Sequence, residues 1–327
     1  MRFISFICAL FVLSACSGGG GNSNNGEYPQ ENISIVIPYG PGGGFDTTVR
    51  VFAPHFAEKL GDDVTILPEN IPGTGGRRGT TTVYREDPDG YTIGILNLPG
   101  LVLPSILGEQ VDFQLREMSW IGRIESQNYV LLVQAESDIQ TLDDFIAQDE
   151  FTFVSIGYGT TVLAAIQIAA EQLGLMSKNP KFLTGYSGTS DQLVALVRGD
   201  GNATISPIST AYQYVRSENL RPIAVTGESR SSYFPDTPTF EELGYSGLTP
   251  LNVQRSLAGP PGMDPVVLGK LREAFLQTME SPEFLEAAAQ AQMDVAPLNG
   301  DLAAQEIENN FQYYEGFRAN LSNPNQL

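Results

Sequence analysis

Short apolar runs alternate with segments of helical periodicity along almost the whole chain, an order that belongs to layered α/β architectures. The runs Ile33 to Pro38, Val64 to Leu67, Tyr91 to Leu96, Tyr129 to Gln134, Phe151 to Ile156, Lys181 to Leu183, Ala203 to Ile205 and Arg221 to Thr226 have the length and character of strands. Between them, Asp46 to Leu60, Thr160 to Leu173 and Ser190 to Arg198 carry helical spacing. Start signals agree. Thr141 precedes Asp144 in capping-box spacing, and Asp264-Pro265 and Ser281-Pro282 each set a cap before a first-turn proline. From Asp264 to Met293 the residues Val267, Leu268, Leu271, Phe275, Leu276 and Met279 recur at helical spacing and read as core packing. The predicted fold class is α/β, with a mostly parallel sheet flanked by helices.

Two stretches read as crossings between lobes: SQNYVLLVQAES, residues 126 to 137, and YSGLTPLNVQRSLAGPPGM, residues 245 to 263. Two crossings put residues 31–130 with 250–327 in one lobe and residues 131–249 in the other. A chain threaded twice through its own waist suits a hinge with ligand in the cleft.

The amino terminus sets the compartment. Arg2, an apolar stretch from Phe3 to Val12, and Leu13-Ser14-Ala15-Cys16 form a signal peptide over residues 1–15 with a lipobox-like end. Cys16 is then the lipidation site and the first mature residue; the plainer alternative is a secretory signal with an incidental cysteine. The Ser/Gly/Asn-rich start of residues 16–30 reads as a flexible tether. Cys8 falls in the cleaved segment and Cys16 carries lipid, so no disulfide is expected. The expected location is periplasmic or otherwise extracytoplasmic, lipid-anchored to a bacterial membrane. With 18 basic against 38 acidic residues and a net charge of −20, nucleic acid is excluded as a partner, and any anion must be held by local donors.

Local donors are what the junctions offer. In PYGPGGGFD, Gly42, Gly43 and Gly44 lead from a strand into a helix, where bare backbone approaches a ligand closely and the first amide N–H groups stay unpaired. Counting Gly40-x-Gly42-x-x lands on Phe45, so the dinucleotide fingerprint fails, and no Walker lysine follows. A carboxylate fits better than a phosphate cofactor; a tight turn without ligand is the alternative for one such cluster. Three more clusters recur at strand ends: ENIPGTGGRRG from Glu69, SIGYGTT from Ser155 and GYSGTSD from Gly185. Four loops from both lobes converge on one cleft in this topology.

These motifs carry a resemblance over nearly all of the mature chain. It resembles the tripartite tricarboxylate transporter substrate-binding proteins, the Bug family. Their P-F-P-P-G-G-x-x-D loop is matched by Pro38-Tyr39-Gly40-Pro41-Gly42-Gly43-Gly44-Phe45-Asp46, N-R-P-G-A-G-G by Asn70 through Gly76, and P-D-G-Y-T by Pro88 through Thr92. Further on, G-x-G-[ST] appears as Gly157-Tyr158-Gly159-Thr160, Y-K-G as Tyr186-Ser187-Gly188, and R-x-x-x-x-P-D-x-P-T as Arg230 through Thr239. The resemblance implies a two-lobed Venus-flytrap protein that captures a small mono-, di- or tricarboxylate and delivers it to a membrane permease. A monomer is expected, with no cofactor and no metal. Tyr39, Gly42, Gly43, Gly44 and Asp46 then build a first clasp, and Thr74 and Gly75 a second. Tyr158, Gly159, Thr160, Thr161, Tyr186, Gly188 and Thr189 hold the far end of the ligand. The chain departs from the pattern at Ile71, where Arg is usual, at Ser187, where Lys is common, and at Gln254, near a common Trp. Arg77 and Arg78 add two cations beside the second clasp, either a cationic rim or two solvated surface groups.

Two other readings stand beside this one. A ligand sensor that reports to a membrane signalling partner would use the same binding chemistry. An exported hydrolase needs a nucleophile with a base, yet the single histidine, His55, lies in a helical pattern, no G-x-S-x-G elbow exists, and no zinc constellation is available. Asp46 serves better as a helix cap or loop support than as an acid or base.

Overall fold

The structure, a computed structural model, describes residues 28–61 and 63–321. The expected signal peptide, Cys16 and the expected tether as far as residue 27 lie outside the described residues. In chain order the elements are β1 (Ile33–Ile37), α1 (Gly44–Leu60), β2 (Ile66–Asn70), α2 (Arg77–Arg85), β3 (Thr92–Leu98), α3 (Leu103–Ile106) and β4 (Ser119–Gln134). Next come α4 (Leu142–Ile146), β5 (Thr152–Val154), α5 (Thr161–Gln172), β6 (Lys181–Leu183), α6 (Thr189–Arg198), β7 (Thr204–Pro207), α7 (Ile208–Arg216) and β8 (Leu220–Val225). The chain closes with β9 (Asn252–Gly259), α8 (Pro265–Glu280), α9 (Pro282–Gln290), β10 (Val295–Asn299) and α10 (Gly300–Glu315). No helix among the described residues is long and apolar enough to cross a membrane.

The first lobe is a sheet of strand order β2-β1-β3-β9-β4-β10. Ile33, Ile35 and Ile37 of β1 point to one face and Val36 to the other, and all four are buried, which is why this strand reads as a continuous apolar run. Over the isoleucine face lies α1, whose Val49, Phe52, Ala53 and Phe56 fall on one helical stripe. Phe52 stacks on Phe56 at 4.8 Å and meets Phe275 of α8 and Phe284 of α9 at 6.1 and 5.9 Å, joining the amino-terminal and carboxy-terminal parts of the chain in one layer. Each fully buried phenylalanine contributes about 1.5–3 kcal/mol.

The second lobe grows from the same strand. From Ser119 to Asn128, β4 pairs with β9; from Tyr129 onward its partners are β7 and β8. Parallel strands β5 and β6 extend this sheet through a parallel bridge between Phe153 and Ala203. The chain returns to the first lobe between β8 and β9. Both sheets are more mixed than the alternation predicts: β1 runs parallel to β2 and β3, but β4 and β9 are antiparallel to every strand they touch. A strand that crosses between lobes and a second that returns beside it must run in opposite directions.

Two local expectations are revised. The strand expected from Tyr129 begins ten residues earlier at Ser119. The Ser281-Pro282 start signal holds: Ser281 ends α8 and caps α9 by accepting from the Phe284 N–H at 3.4 Å, so the helical pattern over Asp264 to Met293 is two helices. Leu276, on the outer side of α8, is 40% exposed and packs no core. The Thr141–Asp144 capping box is present, with bonds of 3.1 and 2.9 Å in the two directions.

Candidate functional site

Because β1, β2 and β3 run parallel in one lobe and β5 and β6 in the other, the loops that follow them gather at strand ends. Between the lobes they enclose a cavity of about 600 Å³. Five segments wall it, at the ends of β1, β2 and β3 in the first lobe and of β5 and β6 in the second.

The first loop joins β1 to α1. Gly42 adopts φ 79°, a left-handed conformation that favours glycine, and its N–H donates to Asp46 Oδ2 at 2.9 Å. Arg50 Nε donates to the same oxygen at 2.9 Å, and Asn70 Nδ2 donates to Oδ1 at 3.0 Å. The Arg50 hydrogen bond, with those from Gly42 and Asn70, outweighs burial and holds the Asp46 carboxyl down at about 2. This carboxylate is 4% exposed and fully engaged, so it props the loop from behind. Gly43 is the N-cap of α1 in extended conformation and supplies no side-chain cap, which leaves the first amides of a 17-residue helix without an internal acceptor.

The second loop, Gly73 to Gly76, turns through positive φ at Thr74, Gly75 and Gly76. It is tied to the first: Tyr39 donates to the Gly75 carbonyl at 3.2 Å and accepts from Asn97 Nδ2 at 2.7 Å, while its ring packs on Phe45 at 4.6 Å. Burial raises the Tyr39 hydroxyl to about 12, against the opposing pull of Asn97 and Arg255, so it stays a neutral donor.

Two more loops come from the second lobe. After β5, Thr160 caps α5: its hydroxyl donates to the Gly157 carbonyl at 2.6 Å and accepts from the Leu163 N–H at 3.3 Å. After β6, Gly188 is the N-cap of α6 and, like Gly43, provides no side-chain cap. Two helix N-termini without side-chain caps therefore face one cavity from opposite lobes. Among the described residues lining this cavity none carries an ionisable acid or base of the Asp, Glu, Lys, Arg or His type.

The sequence profile of the tripartite tricarboxylate transporter family receptor matches residues 48–314. The chain belongs to this family. A UPF0065 protein encoded in the gbd 5′ region of Cupriavidus necator is 30% identical over 283 residues, covering 85% of this receptor and 84% of that protein. Among solved structures, a TctC solute-binding protein from Polaromonas, without ligand, aligns with TM-score 0.75 at 23% identity, covering 89% of this receptor and 98% of that chain. The MatC protein of Rhodopseudomonas palustris with bound malate aligns with TM-score 0.73 at 21% identity, covering 89% and 100%. These neighbours share the two-lobed periplasmic binding protein fold. By family the receptor is a solute-binding component and not an enzyme.

Of the residues singled out in the receptor's sequence, Tyr39, Gly43, Gly44, Gly75, Gly159, Thr160, Thr161, Gly188 and Thr189 line the cavity. Gly42, Asp46, Thr74, Tyr158 and Tyr186 do not. Gly42 and Asp46 brace the first loop. Thr74 and Tyr158 are exposed, Tyr158 by 40%, and Tyr186 donates its hydroxyl to Asp200 at 3.0 Å within the second lobe. Pattern reading passed over Asn97, Gly100, Phe45, Ile156 and Ser187 as lining residues. Ser187 and Phe45 sit inside the quoted motifs and were within reach. Asn97 is the penultimate residue of β3, and Gly100 follows the strand in a loop without a glycine cluster. Ser187 donates to Asp191 in the first turn of α6. Arg77 pairs with Glu109 at 2.6 Å, so its charge is balanced, while Arg78 is exposed at the surface. His55 packs its ring on Phe284 at 5.9 Å, and its buried Nδ1 has no hydrogen-bond partner among the described residues.

Proposed function

We propose that this receptor captures a small carboxylate in its interlobe cleft outside the cytoplasmic membrane and delivers it to the membrane subunits of a tripartite tricarboxylate transporter. The observation that carries the reading is the pair of N-termini without side-chain caps, of α1 and α6, that face one cavity from the two lobes. Unpaired N–H groups and the positive ends of helix dipoles favour anions, and in a wall without charged side chains they act at low dielectric. Gly43, Gly44 and Gly75 offer backbone at one end; Thr160, Thr161, Gly188 and Thr189 offer hydroxyls and backbone at the other. Charge-assisted bonds contribute about 1.5–3 kcal/mol each, so four support micromolar affinity. A carboxylate bonded to both lobes also stabilises the arrangement in which they are close together, which gives a permease a loaded form to recognise. The malate held by MatC is consistent with this chemistry.

Thermal shift with acetate, malate, adipate and citrate tests the reading. We expect at least one of them to raise Tm in a concentration-dependent way, with one-to-one stoichiometry by calorimetry. A folded protein, freed of carried-over ligand, that none of the four stabilises would refute it. We further infer that lipid on Cys16 anchors the mature receptor to the membrane. Cys16→Ser is expected to move it from the membrane fraction to the soluble fraction; retention on the membrane would count against the anchor.

A further inference from the structure

The cavity wall has no charged side chain, yet a buried positive charge lies one layer beneath it. Arg255 of β9 is 8% exposed and pairs through Nη1 with Glu125 Oε2 of β4 at 2.6 Å. Thr48 of α1 donates to that same oxygen, and Arg255 Nη1 stands 3.3 Å from the Thr48 hydroxyl. The pairing is one-sided. Among the described residues, Glu125 Oε1 and Arg255 Nε are buried without partners, and Nη2 has only Gln127 Oε1, at 3.5 Å. Arginine–carboxylate pairs frequently close two parallel bonds, and this one does not. Here Nη2 packs against Gly44, where an added Cβ would collide with it, and the guanidinium carbon lies 5.0 Å from the centre of the Phe45 ring. Gly44 and Phe45 both line the cavity, as does Tyr39, which also feels the Arg255 charge.

We propose that Arg255 is the electrostatic determinant of anion affinity in the cleft: its incompletely paired guanidinium acts through the bare Cα of Gly44 on a carboxylate held at the N-terminus of α1. The proposal rests on the carboxylate reading given above. A chain of net charge −20 repels anions at long range, and a cation shielded from solvent offsets this where binding happens. Glu125 opposes the effect, as does Asp294, whose carboxyl is raised to about 6 by burial and by Glu125. Arg255 itself touches no ligand in this arrangement; it positions potential.

Opposite signs in two substitutions separate this role from a structural one. By calorimetric titration with the same four carboxylates, Arg255→Gln is expected to weaken binding about tenfold, and Glu125→Gln, which keeps the shape and the acceptor but removes the opposing charge, to tighten it about threefold. Arg255→Lys should recover much of the loss, and the double substitution Glu125→Gln with Arg255→Gln should fall between the single variants, about threefold weaker than the wild type. A structural role alone predicts weaker binding in both single variants. Affinity in Glu125→Gln at or below that of the wild type, in protein that still unfolds cooperatively, overturns the proposal, and this arm stands even where Arg255→Gln does not fold. A wild type that binds none of the four overturns the carboxylate reading and this proposal with it. A wild type that binds, with affinity unmoved in both variants, overturns this proposal alone.

Discussion

Gly43→Val is expected to abolish carboxylate binding while leaving the fold in place. Gly43 has φ −85° and ψ 170°, extended backbone that valine adopts readily. A Cβ built there meets only the Gly40 carbonyl, at 3.7 Å, an ordinary contact. The new methyl groups must therefore project from the wall of the cavity, across the approach to the first amides of α1. Losing two charge-assisted bonds removes about 3–6 kcal/mol, more than a hundredfold in affinity. Neighbouring positions would not isolate the effect. Gly42 sits at φ 79°, where any side chain brings strain, and a Cβ on Gly44 collides with Arg255. Calorimetry should show binding lost, and thermal unfolding should show Tm close to that of the wild type. Affinity retained in this variant would mean that the ligand does not approach the α1 N-terminus.

The difference between what was legible in the sequence and what was not follows from where burial is apolar. Ile33 to Ile37 and the Val49, Phe52, Phe56 stripe bury hydrocarbon, so periodicity reveals them. The glycine loops are legible for a second reason: backbone needs, such as the positive φ of Gly42 and Gly75, leave glycine at fixed places. The waist of the molecule hides from both kinds of reading. Along β4 and β9, Glu125, Gln127, Gln254, Arg255 and Ser256 are all buried, and a strand that buries polar groups against each other has no apolar alternation to detect. The first half of β4 and the whole of β9 escape sequence reading for that reason, and with them the ion pair beneath the loop between β1 and α1. Tyr186 illustrates the converse. It lies in a motif that matches the family, but whether its side chain faces the cavity depends on Asp200, fourteen residues away, whose carboxylate takes the hydroxyl. Motif spacing fixes backbone position and leaves side-chain direction open.

Asp46→Ala is expected to cost both stability and affinity although Asp46 does not line the cavity. Its carboxylate joins three pieces: the Gly42 amide in the first loop, Arg50 one turn along α1, and Asn70 at the end of β2. Asn70 in turn donates to the Tyr39 carbonyl at 3.0 Å, so the first loop is held from both sides. Removing the acceptor leaves the Gly42 N–H and the Asn70 amide short of a partner, a loss of about 2–4 kcal/mol in stability, and frees the loop that presents Gly43 and Gly44, for which a loss of about tenfold in affinity is reasonable. Asp46→Asn, which still offers an oxygen, should fall between alanine and wild type. The pH dependence separates this support from simple packing. A free aspartate titrates near 3.8 and the folded protein holds Asp46 at about 2, so the ionised group adds stability above the ordinary value, and that contribution drains away as pH falls toward 2. Thermal unfolding of wild type and Asp46→Ala across that window should show their difference in stability shrinking with acid. A difference that stays constant down to pH 2 would show that the charge on Asp46 does not brace the loop.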